Sequence, residues 1–265
     1  MSGVAGRAAP VTGAGSATGI GFAAARALAN AGAKVAITST TKRIFDRREE
    51  LPGKADDMLA AIADLTKSAD VKRLVAETKR AFGRIDVLIN NAGMIQTGRR
   101  DRHGRAHEIT DEEWRHHLDL NLTTCFAVTR AALPLMLRRR YGRIVDISSV
   151  TGPLVANPRS TGYSTAKAAI IGCTRAVAIE VGGKGIAVNA VAPGWIATGS
   201  SSKKEIFAGT QTPAGRSGTP DEVAALALFQ AGEEASYVTG QMIVVDGGNS
   251  IQEYKGPRDR WYPPA

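Results

Sequence analysis

Two cysteines, four histidines and an aromatic content of 5% leave this 265-residue chain poor in the raw material of disulfide frameworks, metal clusters and base-stacking surfaces. Cys125 and Cys173 sit in apolar, helix-like surroundings with no CxxC spacing and no histidine cluster beside them. They read as buried, reduced thiols of a cytoplasmic protein with no metal site. No run is apolar for long enough to cross a bilayer, so no membrane partner is expected. The opening MSGVAGRAAP has no apolar stretch followed by a cleavage-like site, so export is not expected either. Acidic residues are the scarcer sign: 25 Asp and Glu face 34 Lys and Arg, a net charge of +9. The cations spread along the chain apart from two clusters, 98–105 and 138–143, and no zinc-ligand spacing, RNP-like aromatic motif or basic amphipathic tail accompanies them. Nucleic acid is therefore not an expected partner.

What is present is an alternation of short β-like runs with longer helical ones. Strands are predicted at AAPVT (8–12), KVAIT (34–38), AAIAD (60–64), IDVLIN (85–90), RIVDIS (143–148), IAVNAV (186–191) and MIVVD (242–246). Helical periodicity falls at 21–32, 71–83, 111–137, 165–182 and 220–232. Strands alternating with helices predict an α/β fold, a doubly wound parallel sheet with helices on both faces. No Pro/Gly-rich linker, composition break or internal repeat divides the chain. One domain over 1–250 is expected, with 251–265 as a tail that is either a disordered end or a strap across a neighbouring subunit. Pro10 conflicts with a central first strand, because proline lacks a ladder donor. Either it faces a gap in the ladder or the strand starts late.

The stretch VTGAGSATGIG (11–21) joins the first strand to the first helix. Its glycines miss the spacing of the dinucleotide fingerprint, since Thr18 stands where the third glycine belongs. A glycine-rich turn into a helix offers backbone N–H groups and a positive helix end to a phosphate. The same stretch also suits a turn with no ligand.

Further motifs decide between these readings. NNAG (90–93) ends the fourth strand, ISS (147–149) ends the fifth, YSTAK places Tyr163 and Lys167 four residues apart, and PGWIAT (193–198) follows the sixth. With GRSGTPDEVA and TGQMIVVDGG near the C-terminus, these motifs in this order resemble the short-chain dehydrogenase/reductase family, 3-oxoacyl-[acyl-carrier-protein] reductases in particular. The resemblance covers residues 4–250 and implies a Rossmann-like sheet of seven strands. It also implies an NAD(P)-dependent enzyme that moves a hydride between NADP(H) and a carbonyl or secondary alcohol. The first loop departs from the family's TGxxxGxG: Thr12-Gly13 and Gly19-Ile20-Gly21 match its ends, with two extra residues between.

The resemblance assigns roles residue by residue. Tyr163 is the acid–base group, its pKa to be lowered by the Lys167 ammonium and a cationic oxidised nicotinamide; Lys167 also grips the nicotinamide ribose, and Ser149 polarises the carbonyl, with Ser148 as the adjacent alternative. Asn121 kinks its helix and holds a water for proton relay. Gly13, Ser16, Gly19 and Ile20 meet the pyrophosphate, and Asp64 and Leu65 the adenine. Asn91, Ala92 and Gly93 line the adenine-ribose side; Pro193, Gly194, Ile196 and Thr198 lead to the carboxamide. After the second strand, TSTTKR (38–43) has no carboxylate to bond ribose hydroxyls. Ser39, Thr40 and Thr41 could donate to a 2′-phosphate, and Lys42 or Arg43 either neutralises it or opens the next helix. This favours NADP, with NAD as the alternative cofactor. Residues 199–213 would form a lid, and the basic loop 94–108 either flanks an anionic substrate or is a solvated charge run. Arg140 and Lys184 fall where carrier-protein reductases carry docking cations, so a 3-oxoacyl thioester and an acyl carrier protein are candidate partners. Sugars and cyclic alcohols stand beside them. A homotetramer is expected. Against this enzyme stand a catalytically silent nucleotide-binding protein and a basic nucleic-acid-binding protein.

Overall fold

The computed structural model describes residues 3–93, 104–253 and 256. Seven strands form one parallel sheet: β1 (Ala8–Val11), β2 (Lys34–Ser39), β3 (Met58–Ile62), β4 (Val87–Asn90), β5 (Gly142–Ile147), β6 (Ile186–Pro193) and β7 (Met242–Val245). Their spatial order is β3-β2-β1-β4-β5-β6-β7, so the chain winds outward from β1 one way and from β4 the other. The helices are α1 (Ile20–Asn30), α2 (Arg43–Glu49), α3 (Ser68–Phe82), α4 (Asp111–Leu118), α5 (Thr124–Arg139), α6 (Thr161–Val181), α7 (Lys203–Thr210) and α8 (Pro220–Ala231). This is the seven-stranded, Rossmann-like α/β architecture the sequence implies.

Strand alternation sorts the core into two layers. Val87 and Ile89 of β4, Val145 and Ile147 of β5, and Val35 and Ile37 of β2 pack with α1 and α8. Leu88, Ile144, Ile186 and Val188 point the other way, onto Leu74 of α3, Val128 and Met136 of α5 and Ala178 of α6. Successive strand side chains leave on opposite faces, and both faces are covered, so the strands read as continuous apolar runs. Each fully buried Leu or Ile contributes about 1.5–3 kcal/mol from apolar area removed from water.

Pro10 faces a gap in the ladder. Ala8 N–H donates to the Asp86 carboxylate at 2.9 Å and Thr12 N–H to Ile89 O at 3.0 Å, so alternate amides of β1 face β4. Pro10 falls between them, on the side where β1 and β4 share a single residue pair, Val11 with Ile89. Towards β2 the register is complete, Ala8 with Lys34 through Val11 with Ile37.

The helical run expected over 111–137 is interrupted. Thr110 and Glu113 cap its start reciprocally, but at Asp119–Thr123 the backbone widens into a π-type turn centred on Asn121. By length and composition, the joined run Asp111–Arg139 could span a bilayer, against the expectation from sequence. Here Val128, Ala132 and Met136 are buried in the second core layer. Two short helices lie outside the periodic runs: α2, which begins at Arg43, where one reading of the basic pair opens a helix, and α7 inside the polar stretch after Thr198. The basic loop expected at 94–108 lies outside the described residues up to 103, as does most of the tail.

Candidate active site

Every predicted cofactor and catalytic segment leaves the sheet at the C-terminal ends of its strands, where β1 and β4 diverge. That edge is where an open parallel sheet forms its ligand crevice.

The glycine loop comes first. Gly13 has φ +70°, and a Cβ there would come within 2.8 Å of Ala92 Cα. A Cβ on Gly21 would overlap Gly13 O and Asn91 Nδ2. The loop thus closes on itself and on the NNAG turn at two points only glycine fits. Ala14 is buried and donates its N–H to Thr38 O at 2.9 Å. Gly19 N–H donates to Ser16 O at 3.1 Å, making a turn with Ala17 and Thr18 at its exposed tip. The extra length therefore leaves as an outward turn without opening the glycine contacts. Thr18 Oγ1 accepts from Gly199 N–H at 2.9 Å, tying that turn to the segment after β6. Gly19 begins α1 with no side-chain cap, leaving the first amides of the helix for an anion.

The NNAG turn is clamped by Thr12, a residue outside the expected site. Its hydroxyl accepts from Asn91 N–H and Ala92 N–H, both at 2.9 Å, while Asn91 Nδ2 donates to Thr12 O and Gly13 O at 3.0 Å. Asn90 points into the core and donates to Thr129 Oγ1 and the Asp146 carboxylate. A Cβ on Gly93 would sit 2.9 Å from Asn121 Oδ1, so the Asn121 carboxamide lies against this turn. Asn121 Nδ2 donates to His117 O at 3.1 Å, the carbonyl that the widened turn brings within its reach.

At β2, Thr38 is spent on Ala61 O, and the Ser39 hydroxyl donates to Thr41 O at 3.0 Å. Thr40 is exposed. The Thr41 hydroxyl oxygen is shielded from solvent and has no hydrogen-bond partner among the described residues. A Cβ on Gly15 would lie 3.0 Å from Ser39 Oγ and 3.2 Å from Arg43 Nε, so hydroxyls and a guanidinium gather beside the glycine loop. After β3, the Asp64 carboxylate accepts from the Thr66 hydroxyl at 2.6 Å and from Thr66 N–H. Burial pushes that carboxyl up, but the Thr66 bonds and Lys67 more than offset it, and the net shift is downward. The Leu65 side chain is buried in the core, so its backbone is the part near the crevice.

β5 and α6 position the residues expected to react. Ser148 Oγ donates to Lys167 O at 2.8 Å and faces the helix. Ser149, its neighbour, turns the other way, accepts from Thr151 N–H at 3.0 Å and lies close enough to the Tyr163 phenol to favour its charged form. Gly152, at φ +109° and with its N–H on Val155 O at 2.7 Å, bends the longer 150–160 loop under Ser164. Lys167 is 4% exposed; its Nζ donates to Ile147 O at 2.9 Å and lies 5.7 Å from the Tyr163 ring centroid. Burial depresses this ammonium to about 8.

The expected lowering of the Tyr163 pKa is not present in the protein alone. Burial pushes the phenol up, the nearby Ser149 hydroxyl lowers it, and Glu205 of α7 raises it again. The ammonium sits over the ring face and bonds a carbonyl, leaving the phenol oxygen without a cation beside it.

The segment after β6 is bound to its surroundings. Val150 N–H donates to Pro193 O, Gly194 N–H to Val245 O, and Ala197 N–H to Gly218 O. A Cβ on Gly194 would lie 2.5 Å from Asp246 Cβ. Thr198 N–H donates to Ser201 Oγ at 3.0 Å, and Ser201 Oγ to Ile196 O at 2.8 Å. The lid then forms α7, with Ser202 and Glu205 capping each other. Arg140 and Lys184 lie at the opposite edge of the sheet, just before β5 and β6, where the Arg140 guanidinium donates to Gly183 O at 3.3 Å.

Two features escaped the sequence reading. Thr12 matches the threonine of the TGxxxGxG pattern, but no role attached to it. Asp146 carries a signal: it is the one carboxylate in the apolar strand RIVDIS, and a buried charge needs a purpose.

The residues present fit a nicotinamide dinucleotide: an uncapped helix start, two contacts only glycine allows, a shielded hydroxyl with no partner, and a hydroxyl pair over a buried ammonium. Comparison with known proteins agrees. A family model described as enoyl-(acyl carrier protein) reductase matches residues 13–250. The oxidoreductase UcpA of Salmonella typhimurium is 37% identical over 96% of this chain and 98% of its own. The 3-oxoacyl-[acyl-carrier-protein] reductase FabG of Thermotoga maritima is 39% identical over 88% of this chain and 94% of its own. A crystal structure assigned as a gluconate dehydrogenase of Agrobacterium tumefaciens superposes with a TM-score of 0.85 at 32% identity, covering 94% of this chain and 98% of that one. The chain belongs to the short-chain dehydrogenase/reductase family, as an NAD(P)-dependent oxidoreductase.

Proposed function

We propose that the protein is an NADP-dependent reductase of small-molecule carbonyl compounds, run in reverse as a secondary-alcohol dehydrogenase. The observation that carries this reading is the placing of Tyr163 beside Ser149 and over a buried Lys167, whose ammonium lies 5.7 Å from the ring centroid. The cofactor supplies the hydride and, when oxidised, a positive charge near the phenol.

Ser149 and Tyr163 together hold the carbonyl oxygen. Thr151 N–H occupies one lone pair of Ser149 Oγ, which leaves its proton for the substrate. Tyr163 then donates its own proton to the developing alkoxide. A phenol held high by burial is a willing partner in hydrogen bonding but a poor base, so the alcohol-oxidising direction needs the added positive charge. Lys167 grips the ribose, and Asn121, held against Gly93, carries the water that returns the proton. Gly13, Ser16, Gly19 and Ile20 hold the pyrophosphate. The Thr41 hydroxyl without a partner, Ser39, Thr40 and Arg43 support a 2′-phosphate, since no carboxylate stands there to repel it.

The first substrate class for test is the 3-oxoacyl thioester, supported by the similarity to FabG. Acyl carrier protein docking is less well supported, because Arg140 and Lys184 lie across the sheet from the crevice. The second reading, a sugar acid or cyclic alcohol, is supported by the similarity to the gluconate dehydrogenase structure. We propose a homotetramer as the working assembly and the cytoplasm as its location.

The test is a panel of 3-oxoacyl thioesters, ketones and polyols, each with NADPH and NADH, for the wild type and Tyr163→Phe. At least one carbonyl is expected to oxidise NADPH in preference to NADH. Tyr163→Phe should lower kcat/KM by about 10²–10⁴-fold, the usual worth of a positioned acid–base group. Turnover by the Phe variant at the wild-type rate would overturn the assignment.

A further inference from the structure

We infer that Asp146 is the counter-ion of Lys167, the group that keeps its ammonium charged and seated beneath Tyr163. The inference rests on the reading in which a charged Lys167 supports Tyr163, and it adds a positioning residue to that reading.

Asp146 is 3% exposed and lies on the α5/α6 face of β5, two residues from Ile144, which packs in the same layer. Donors converge on its carboxylate from three elements. Asn90 Nδ2 of β4 donates to Oδ1 at 2.8 Å, Cys125 Sγ of α5 donates to Oδ1 at 3.3 Å, and Thr174 Oγ1 of α6 donates to Oδ2 at 2.8 Å. An environment made of donors suits an ionised carboxylate, which only accepts; a protonated carboxyl would aim its own O–H at one of them. Packing alone does not call for a charge here. An apolar side chain in this strand would fill the space, as Ile144 does two residues earlier.

Lys167 is the buried cation whose charge and that of Asp146 act on each other. Its ammonium bonds the carbonyl of Ile147, the residue next to Asp146. Burial pulls the lysine down to about 8 even with Cys125 and Asp146 pulling the other way. The groups around the pair are few: Tyr163 and Cys173 on α6, Cys125 on α5 and Asn90 on β4. Burial pushes the Cys125 thiol well above its ordinary range and raises that of Cys173, so both thiols are neutral at pH 7. Asn90 carries no charge, and Tyr163 is raised. Burial also raises the Asp146 carboxyl, and the three donors oppose that rise. Asp146 is therefore the anion able to offset a buried ammonium in a medium of low dielectric, where one uncompensated charge is costly.

The test is read on the apoprotein. In ε-¹³C-lysine-labelled protein, the Lys167 resonance (assigned by its loss in Lys167→Gln) should titrate near pH 8. In Asp146→Asn it should titrate at least about one pH unit lower, a tenfold or greater gain in ease of deprotonation. In the reduction of a carbonyl substrate, the alkaline fall of kcat/KM should move down by the same amount, so the wild-type advantage widens above pH 7. A merely structural Asp146 would give a ratio of rates that does not change with pH and an unmoved Lys167 titration, and either result overturns the inference. Should Asp146→Asn fail to fold, ¹³Cγ-aspartate labelling of the wild type decides: an Asp146 carboxyl protonated at pH 7 refutes the pairing, and one ionised there upholds it. Both titrations are independent of turnover, so they fail or stand apart from Tyr163→Phe.

Discussion

Ser148 and Ser149 are chemically identical neighbours with opposite tasks. Strand alternation turns the first towards α6, where it donates to Lys167 O, and the second towards Tyr163. Ser149→Ala should lower kcat/KM by about 10²–10³-fold, the cost of removing one donor to a developing oxyanion. Ser148→Ala should leave kcat/KM within a few-fold and reduce stability by about 0.5–1.5 kcal/mol, the worth of one intramolecular hydrogen bond. Steady-state kinetics and thermal melts separate the two, and equal kinetic losses would contradict the assignment of roles. Motif resemblance alone put Ser149 ahead of Ser148; the opposite facing of the two hydroxyls became visible only in the fold. Asp146 could be seen as an oddity in an apolar strand. Its partners Cys125, Thr174 and Asn90 lie 21, 28 and 56 residues away, so only folding shows what the carboxylate is for.

At the scale of elements, the glycine loop shows how two extra residues are absorbed. Its closed end is set by Gly13, Gly21 and Asn91, while the added length turns outward at Ala17 and Thr18. Gly21→Ala would drive a methyl into Gly13 O and Asn91 Nδ2. Overpacking of this kind costs about 1–3 kcal/mol, and because it displaces the pyrophosphate loop, the loss should reach binding. Dinucleotide affinity should fall by about tenfold or more, the equivalent of 1.4 kcal/mol, read by fluorescence titration beside the thermal midpoint. A variant that binds as tightly as the wild type would mean that the loop bends without cost. Long periodic helices such as α3 and α6 were legible because each buries a stripe against the sheet. The seven-residue α2 and eight-residue α7 left no such stripe, since neither is long enough to repeat one. For α7 the available signal was Ser202 followed by Glu205, a reciprocal cap at the mouth of a polar segment. The break at Asn121 was legible only through the resemblance, which puts a helix-kinking asparagine there; by periodicity alone the same residues would also suit a straight helix.

At the scale of the whole molecule, the two ends of the sheet do different work. The C-terminal ends gather the crevice. The N-terminal ends are tied by charge: Arg143, 4% exposed, and Arg7 both pair with Glu233, at 3.1 and 2.7 Å, and both guanidinium groups stack on the Tyr141 ring. That cluster joins the entrance of β1 to β5 and the end of α8. The outer surfaces of the central helices expose large apolar side chains among charged ones such as Arg175 and Arg130. Ile179 of α6 is 87% exposed and Phe126 of α5 is 43% exposed. Both helices also carry inward-facing groups of the site, so a second copy packed on them would brace α6 from outside as the sheet does from within. An isologous contact buries the same patch twice, which makes a single charge at its centre doubly costly. In the proposed tetramer, Ile179→Asp should therefore lower the mass seen by light scattering to that of a dimer or monomer. Turnover should become dependent on protein concentration, because α6 of the separated chain holds Tyr163 and Lys167 less firmly. Asp at position 179 lies on an exposed helix face, so the variant's fold should survive with a far-ultraviolet circular dichroism spectrum like the wild type's. A wild type that is already monomeric, or a variant that keeps the tetramer mass, would place the assembly surface elsewhere.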